Sequence, residues 1–231
     1  MLRLAINRLL LPAAMAALLM LSLAYWWLDN GPHEAFGTAM LGLLTWHIYT
    51  NRRWFLTLRI GQYDARRWAV VIIHTWLAIN ITVLFVTSVL ISRSVSFIQF
   101  TDHVSVIEVH WFSAYWVVLI IAVHLGSHWP RVMVTFATVL RLSPSRVRTN
   151  WLRLFSALLL AYGAWSFAVL GVSTKLTFGY SLYFWDFTAS VTPFFAHWTA
   201  VIAGVAVLSY YSMAALRSAG KPRSRSNNGG T

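Results

Sequence analysis

Residues 110–124 read HWFSAYWVVLIIAVH, thirteen uncharged and mostly apolar residues bracketed by two histidines. Imidazole is costly to place in hydrocarbon, so a histidine in a membrane-grade helix marks a functional site by default. Residues 33–47, HEAFGTAMLGLLTWH, repeat the arrangement with the same separation of fourteen positions. At 3.6 residues per turn, fourteen positions make nearly four turns. Both rings of a pair then share one helix face, about 21 Å apart along the axis. No single metal ion reaches both ends of such a helix, whereas two cofactors at two depths do.

Composition puts these helices in a membrane. The 231 residues are 58% hydrophobic and only 10% charged, with a mean hydropathy of +0.63. That is too apolar for a soluble domain. Six stretches, near 9–28, 33–50, 69–92, 107–128, 151–173 and 193–215, are each long enough to cross about 30 Å of hydrocarbon. The expected fold is all-α: a polytopic membrane bundle of six transmembrane helices. A single transmembrane domain spans 1–216, and a polar, basic tail at 217–231 has the composition of a disordered segment. The first stretch has a signal peptide's charged-then-apolar order. It is long and lacks a small-residue cleavage site before YWWLDN, so a retained span is expected. The chain has no Cys, which excludes disulfides, thiolate-held iron–sulfur clusters, Cys-type zinc and thioether-attached haem.

Charge sets the expected orientation. Sixteen of the 18 Lys and Arg fall on one side of a six-span arrangement. They are Arg3 and Arg8, then Arg52, Arg53, Arg59, Arg66 and Arg67, then Arg131, Arg141, Arg146, Arg148 and Arg153, and finally Arg217, Lys221, Arg223 and Arg225. Arg93 and Lys175 fall on the other side, with Asp29, Glu34, Asp102, Glu108 and Asp186 on or near it. By the positive-inside rule both termini are cytoplasmic, in a bacterial-type inner membrane. The net charge of +12 is therefore a topology signal, and the expected surroundings are lipid with no nucleic acid. Trp26, Trp27, Trp54, Trp68, Trp129, Trp151 and Trp185 fall near span ends, where interfacial anchors belong.

In this topology the second and fourth spans run in the same direction. His33 then lies level with His110, and His47 with His124. Two facing imidazoles fill both axial positions of a flat haem and leave no open site for oxygen or substrate, an arrangement suited to electron transfer. Two haem b groups are expected, with iron held by His33 and His110 and by His47 and His124. His128, one turn beyond His124, has three roles open to it: inner ligand in place of His124, partner of a propionate, or contact for a quinone. His74, at about the same depth, has similar options. His197 suits either a quinol site or a satisfied interfacial histidine, and His103 falls in a loop. Arg52 and Arg53 suit haem propionates or plain positive-inside anchoring. Gly37 and Gly42 suit room for a porphyrin or close helix packing. Glu34 suits orientation of an imidazole, acceptance of a proton, or a solvated place in a first helical turn.

The runs HEAFGTAMLGLLTWHIYTNRRW, GQYDARRW and HWFSAYWVVLIIAVHLGSHW resemble the flavinylation-associated cytochromes. Those proteins carry an HE-x-x-G opening, a His followed shortly by NRRW, a G-x-Y-x-x-R-like loop, and H-x-G-x-H-W. The matching positions are His33, Glu34 and Gly37, then His47, Asn51, Arg52, Arg53 and Trp54. Gly61, Tyr63 and Arg66 follow, and then His124, Gly126, His128 and Trp129. Four motifs occur in order over about residues 10–130. The resemblance implies a b-type cytochrome that passes electrons across the membrane, often to extracytoplasmic proteins bearing covalently bound flavin. The chain departs from the pattern at TSVLIS (residues 87–92), where a Gly-containing turn is usual, and the helix pair at about 151–215 lies outside the match. The histidine ladder is also geometrically similar to the cytochrome b subunits of quinol–cytochrome c reductases and to ferric-reductase-like membrane domains.

The expected function is transmembrane electron transfer between a quinol or cytoplasmic donor and an extracytoplasmic acceptor. With no nucleotide fingerprint, the chain suits a redox subunit better than a free-standing enzyme. One alternative is a transporter whose histidines relay protons or bind a transition metal. It has against it the lack of acids deep in the spans and of broken helices in matching halves. The other is a single-haem membrane anchor subunit.

Overall fold

The computed structural model describes residues 2–94, 103–179 and 185–219. Among them every regular element is helical: α1 (Leu2–Leu23), α2 (Tyr25–Leu28), α3 (Asn30–Thr50), α4 (Arg53–Thr57), α5 (Ala65–Ile91), α6 (His103–Val139), α7 (Arg146–Val169), α8 (Val172–Lys175) and α9 (Thr192–Ala219). Four of these, α5, α6, α7 and α9, are long and apolar enough to cross a membrane. The apolar part of α1 is the shorter run Leu9–Leu23, and α3 is diluted by Gly31, Pro32, His33, Glu34, Thr38, Thr45 and His47. The polar tail from Lys221 onward, with Arg223 and Arg225, lies outside the described residues.

Local chemistry sets the helix ends. The Asp64 carboxylate accepts from the Arg67 amide at 2.7 Å and caps α5. The preceding GQYD turn is held by Arg67, whose guanidinium donates to the Gln62 and Thr57 carbonyls at 3.1 and 2.5 Å. α6 continues well past the apolar stretch near 107–128, with Pro130 inside it. A proline deletes one backbone hydrogen bond and bends a helix without having to end it. His103 opens α6 instead of lying in a loop. Trp26, Trp27, Trp68, Trp129 and Trp151 are exposed, as anchors require, whereas Trp54 stacks on His74 and Trp185 packs against Phe194 and His197.

α6 is the hub, touching α1, α5 and α9, while α7 packs on α9 and α3 on α1. Contacts fix the directions. Thr87 meets His110 while His74 meets His124, so α5 and α6 are antiparallel. Tyr115 stacks on Trp198, and the Ser209 hydroxyl donates to the Val123 carbonyl at 2.8 Å, so α6 and α9 are parallel. The α6–α9 and α7–α9 interfaces are closed by small residues that let backbones approach. A methyl group at Gly126 would strike the Ala206 carbonyl, and one at Gly163 would lie 2.6 Å from the Ala200 carbonyl oxygen. The core gathers where these helices meet, around Val118, Leu170, Val172, Phe194, Trp198 and Val201.

Candidate functional site

α3 lies along α1 but faces α5 and α6 across a gap. His33 at one end of α3 meets His110, and Trp54, just past its other end, meets His74. α3 therefore runs parallel to α6. The gap is a cleft of about 2180 Å³ whose mostly apolar walls carry His33, His47, His74, His110, His124 and His128. Small-molecule pockets rarely exceed about 1,000 Å³, so this one has room for more than a single ligand. Gly37 lines it, and a methyl group built on Gly37 or Gly42 meets nothing within 4 Å. Of the two roles open to these glycines, close packing within the chain is not the one they serve.

At the end away from the Arg-rich turn, the His33 and His110 rings stand 6.2 Å apart, centre to centre. The His33 Nδ1–H donates to the Ser22 carbonyl at 2.9 Å. His110 is 8% exposed, and its Nδ1 lies 3.2 Å from the Thr87 hydroxyl. That hydroxyl already donates to the Val83 carbonyl at 2.9 Å, so it accepts from His110 Nδ1–H. Both rings thus keep a free lone pair on Nε2, the arrangement typical of metal-ligating histidine. Glu34, beside His33, is a tether. It accepts from Asn30 and from the Arg93 amide, each at 2.9 Å, and from the Ser92 and Ser94 hydroxyls at 3.2 and 2.5 Å. These bonds tie the residues after α5 to the first turn of α3. Lys175 also lines this end, and burial lowers its pKa.

At the Arg-rich end three imidazoles cluster. His74 lies 4.9 Å from His124 and 5.6 Å from His128, which are themselves 4.7 Å apart, ring centre to ring centre. His74 Nδ1–H donates to the Val70 carbonyl at 2.6 Å, and its ring stacks on Trp54 at 4.4 Å. The Nδ1 of His124 is buried with no hydrogen-bond partner among the described residues. His47 lines the same cleft; its carbonyl accepts from the Asn51 side chain at 2.8 Å and the Thr50 hydroxyl at 2.9 Å, which closes the end of α3.

The remaining predicted residues lie elsewhere. Arg52 folds back, donating to the Tyr49 carbonyl at 2.9 Å with its guanidinium 4.3 Å from the Tyr49 ring centre. Arg53 is exposed in the first turn of α4. At the Arg-rich end the cation on the cleft wall is Arg131, and the half-buried Arg66 keeps its Nε without a partner among the described residues. His197 is buried away from the cleft, with its Nδ1 2.9 Å from the Ser166 hydroxyl and Tyr162, Trp165 and Trp185 around its ring.

A flat, doubly ligated haem can be tested against this geometry. With metal–nitrogen bonds of about 2 Å, two imidazoles on opposite sides of one iron have ring centres roughly 6 Å apart. The His33–His110 spacing of 6.2 Å fits, as do their free Nε2 lone pairs and the open space over Gly37. At the other end the donors are imidazoles too, and the buried His124 Nδ1 has no hydrogen-bond partner among the described residues. Sequence reasoning missed Ser22, Thr87 and Arg131, whose roles depend on which helices touch and in what register. Comparison with protein-family models, with curated proteins and with solved structures returns no match.

Proposed function

We propose that this chain is a b-type membrane cytochrome that carries electrons across a bacterial-type cytoplasmic membrane. In this reading it has six spans, with both termini on the cytoplasmic, Arg-rich side. One observation carries it: the two helices with matched histidine pairs run parallel without packing, and all four imidazoles line the gap between them. His33 and His110 would hold one haem b, and His47 and His124 the second. Bound haem with two imidazole ligands supplies a one-electron carrier without an open substrate position. The chain's own residues orient and insulate it. Ser22 and Thr87 fix which nitrogen of His33 and His110 faces the cleft. Apolar walls keep water out, Glu34 ties the far mouth together, and Arg131 offers positive charge for propionates at the other. The donor is a quinol or a cytoplasmic protein. The acceptor is an extracytoplasmic redox protein, flavin-bearing if the family resemblance holds, which makes this chain a redox subunit.

Reduced-minus-oxidised spectra and pyridine haemochrome of the detergent-purified protein test the reading. The expected result is close to two haems per chain, with His110→Ala and His124→Ala each losing one. A value near one supports the single-haem alternative. A folded chain with no b-type absorption overturns both and favours a histidine-based transporter.

A further inference from the structure

We infer that His74, His124 and His128 form a site for a single transition-metal ion, zinc or copper in class. This inference does not require the haem reading; a neutral imidazole offers one lone pair, so the ion and the second haem proposed there compete for His124.

The geometry separates the two kinds of centre. Three imidazoles on one ion, with bonds of about 2.0–2.1 Å at tetrahedral angles, have ring centres roughly 5 Å apart, against roughly 6 Å for an opposed pair. The three separations here are 4.9, 5.6 and 4.7 Å, while His33 and His110 stand at 6.2 Å. One ligand atom from each of the three rings falls within 4.8 Å of the others, so modest side-chain rotations close them on an ion. His124 and His128 are four residues apart on α6 and share a face, a spacing that chelates metal from a helix. His74 is oriented in advance: its Nδ1–H is committed to the Val70 carbonyl, which leaves Nε2 as the ligand atom, and Trp54 backs the ring. A buried polar atom without a partner is costly, and the His124 Nδ1 is one among the described residues. An ion here would remove that cost.

The donor set selects the metal. Three neutral imidazoles, without a carboxylate or thiolate among the described residues of the cluster, suit zinc or copper and not magnesium, calcium or manganese. The fourth position opens to the cleft, where Arg131 favours an anionic ligand such as hydroxide or chloride.

The test uses the full chain carrying His47→Ala, which frees His124 from the second haem, without a polyhistidine tag, stripped with chelator, equilibrated with Zn²⁺ and freed of excess by gel filtration. Zinc and haem per chain are then measured on the same sample. One zinc per chain is expected, with its affinity falling more than about tenfold in His74→Ala and in His128→Ala. A monodisperse gel-filtration peak serves as the check on folding, and His74→Gln and His128→Gln, which keep bulk, replace either alanine variant that fails that check. Restoring His47 lowers zinc uptake to the extent that the second haem is bound, and His124→Ala added to the His47→Ala chain abolishes zinc uptake. Copper bound at the same site shows nitrogen hyperfine structure in its electron paramagnetic resonance spectrum. No zinc uptake, or uptake indifferent to His74 and His128, overturns the site. Absence of b-type absorption overturns the cytochrome reading and leaves this one standing.

Discussion

Gly126 on α6 and Gly37 on α3 are both helical glycines in a chain built for a membrane, and their surroundings are opposite. A side chain at Gly126 would run into the backbone of α9, while one at Gly37 would meet nothing. The first belongs to the α6–α9–α7 side, where helices touch backbone to backbone and Ser209 bonds across the interface. The second belongs to the α3 side, where two helices that ought to pack are kept apart by a histidine-lined cleft. One side invests its small residues in stability, and the other leaves them facing space. That difference separates the frame of this protein from its site.

The largest effect is expected where the comparison is sharpest. Gly126→Val forces a branched side chain against the Ala206 carbonyl and should destabilise by about 3 kcal/mol or more, at the top of the range for overpacked interiors. Collapse of the monodisperse peak in detergent, or a large drop in Tm, would register it. Gly37→Val should leave Tm nearly unchanged, since exposed substitutions stay within about 0.5 kcal/mol, yet lower haem content by filling the cleft. If Gly37→Val unfolds the protein while Gly126→Val does not, the distinction between frame and site is wrong.

Glu34→Gln probes the tether across the cleft mouth. Hydrogen bonds to a charged group contribute about 1.5–3 kcal/mol. Because this carboxylate is only partly buried, a loss near the lower end is expected in thermal unfolding, with faster exchange of the Arg93 amide. Thr87→Val keeps shape but removes the acceptor for His110 Nδ1–H. It should weaken retention of the His33–His110 haem by about tenfold, the lower end of losses for outer-shell partners, at little cost in stability. Haem loss to apomyoglobin measures it, and unchanged retention would mean the hydroxyl does not orient that ring. The smallest effect belongs to Ser209→Ala, about 1 kcal/mol for one ordinary hydrogen bond, read as a small fall in Tm with haem content unaltered.

Much of the frame was legible from pattern alone. Helices appear at each of the six apolar stretches, and the fourteen-residue spacing puts His33 and His47 along one cleft wall and His110 and His124 along another. The end of α6 was not legible, because an apolar stretch marks what can cross lipid and not where the helix stops. The position of Arg52 was not legible either: its side chain returns to the end of α3, and a charge run does not say which way a flexible cation turns. The role of TSVLIS was hidden for a similar reason. Thr87 matters only because antiparallel pairing brings it opposite His110, twenty-three residues further along the chain.

Periodicity is a local property, so the sequence by itself determined that the helices are apolar and that α3 and α6 each carry two imidazoles fourteen residues apart on one face. Which of those imidazoles meet is a property of packing between helices. Only the tertiary structure decided that His74 joins His124 and His128. It also decided that Ser22 and Thr87 hold two of the rings, and that the space between α3 and α6 stays open. The physical reason is that contact depends on helix rotation and separation, and those follow from small residues and hydrogen bonds on neighbouring helices far away in the chain.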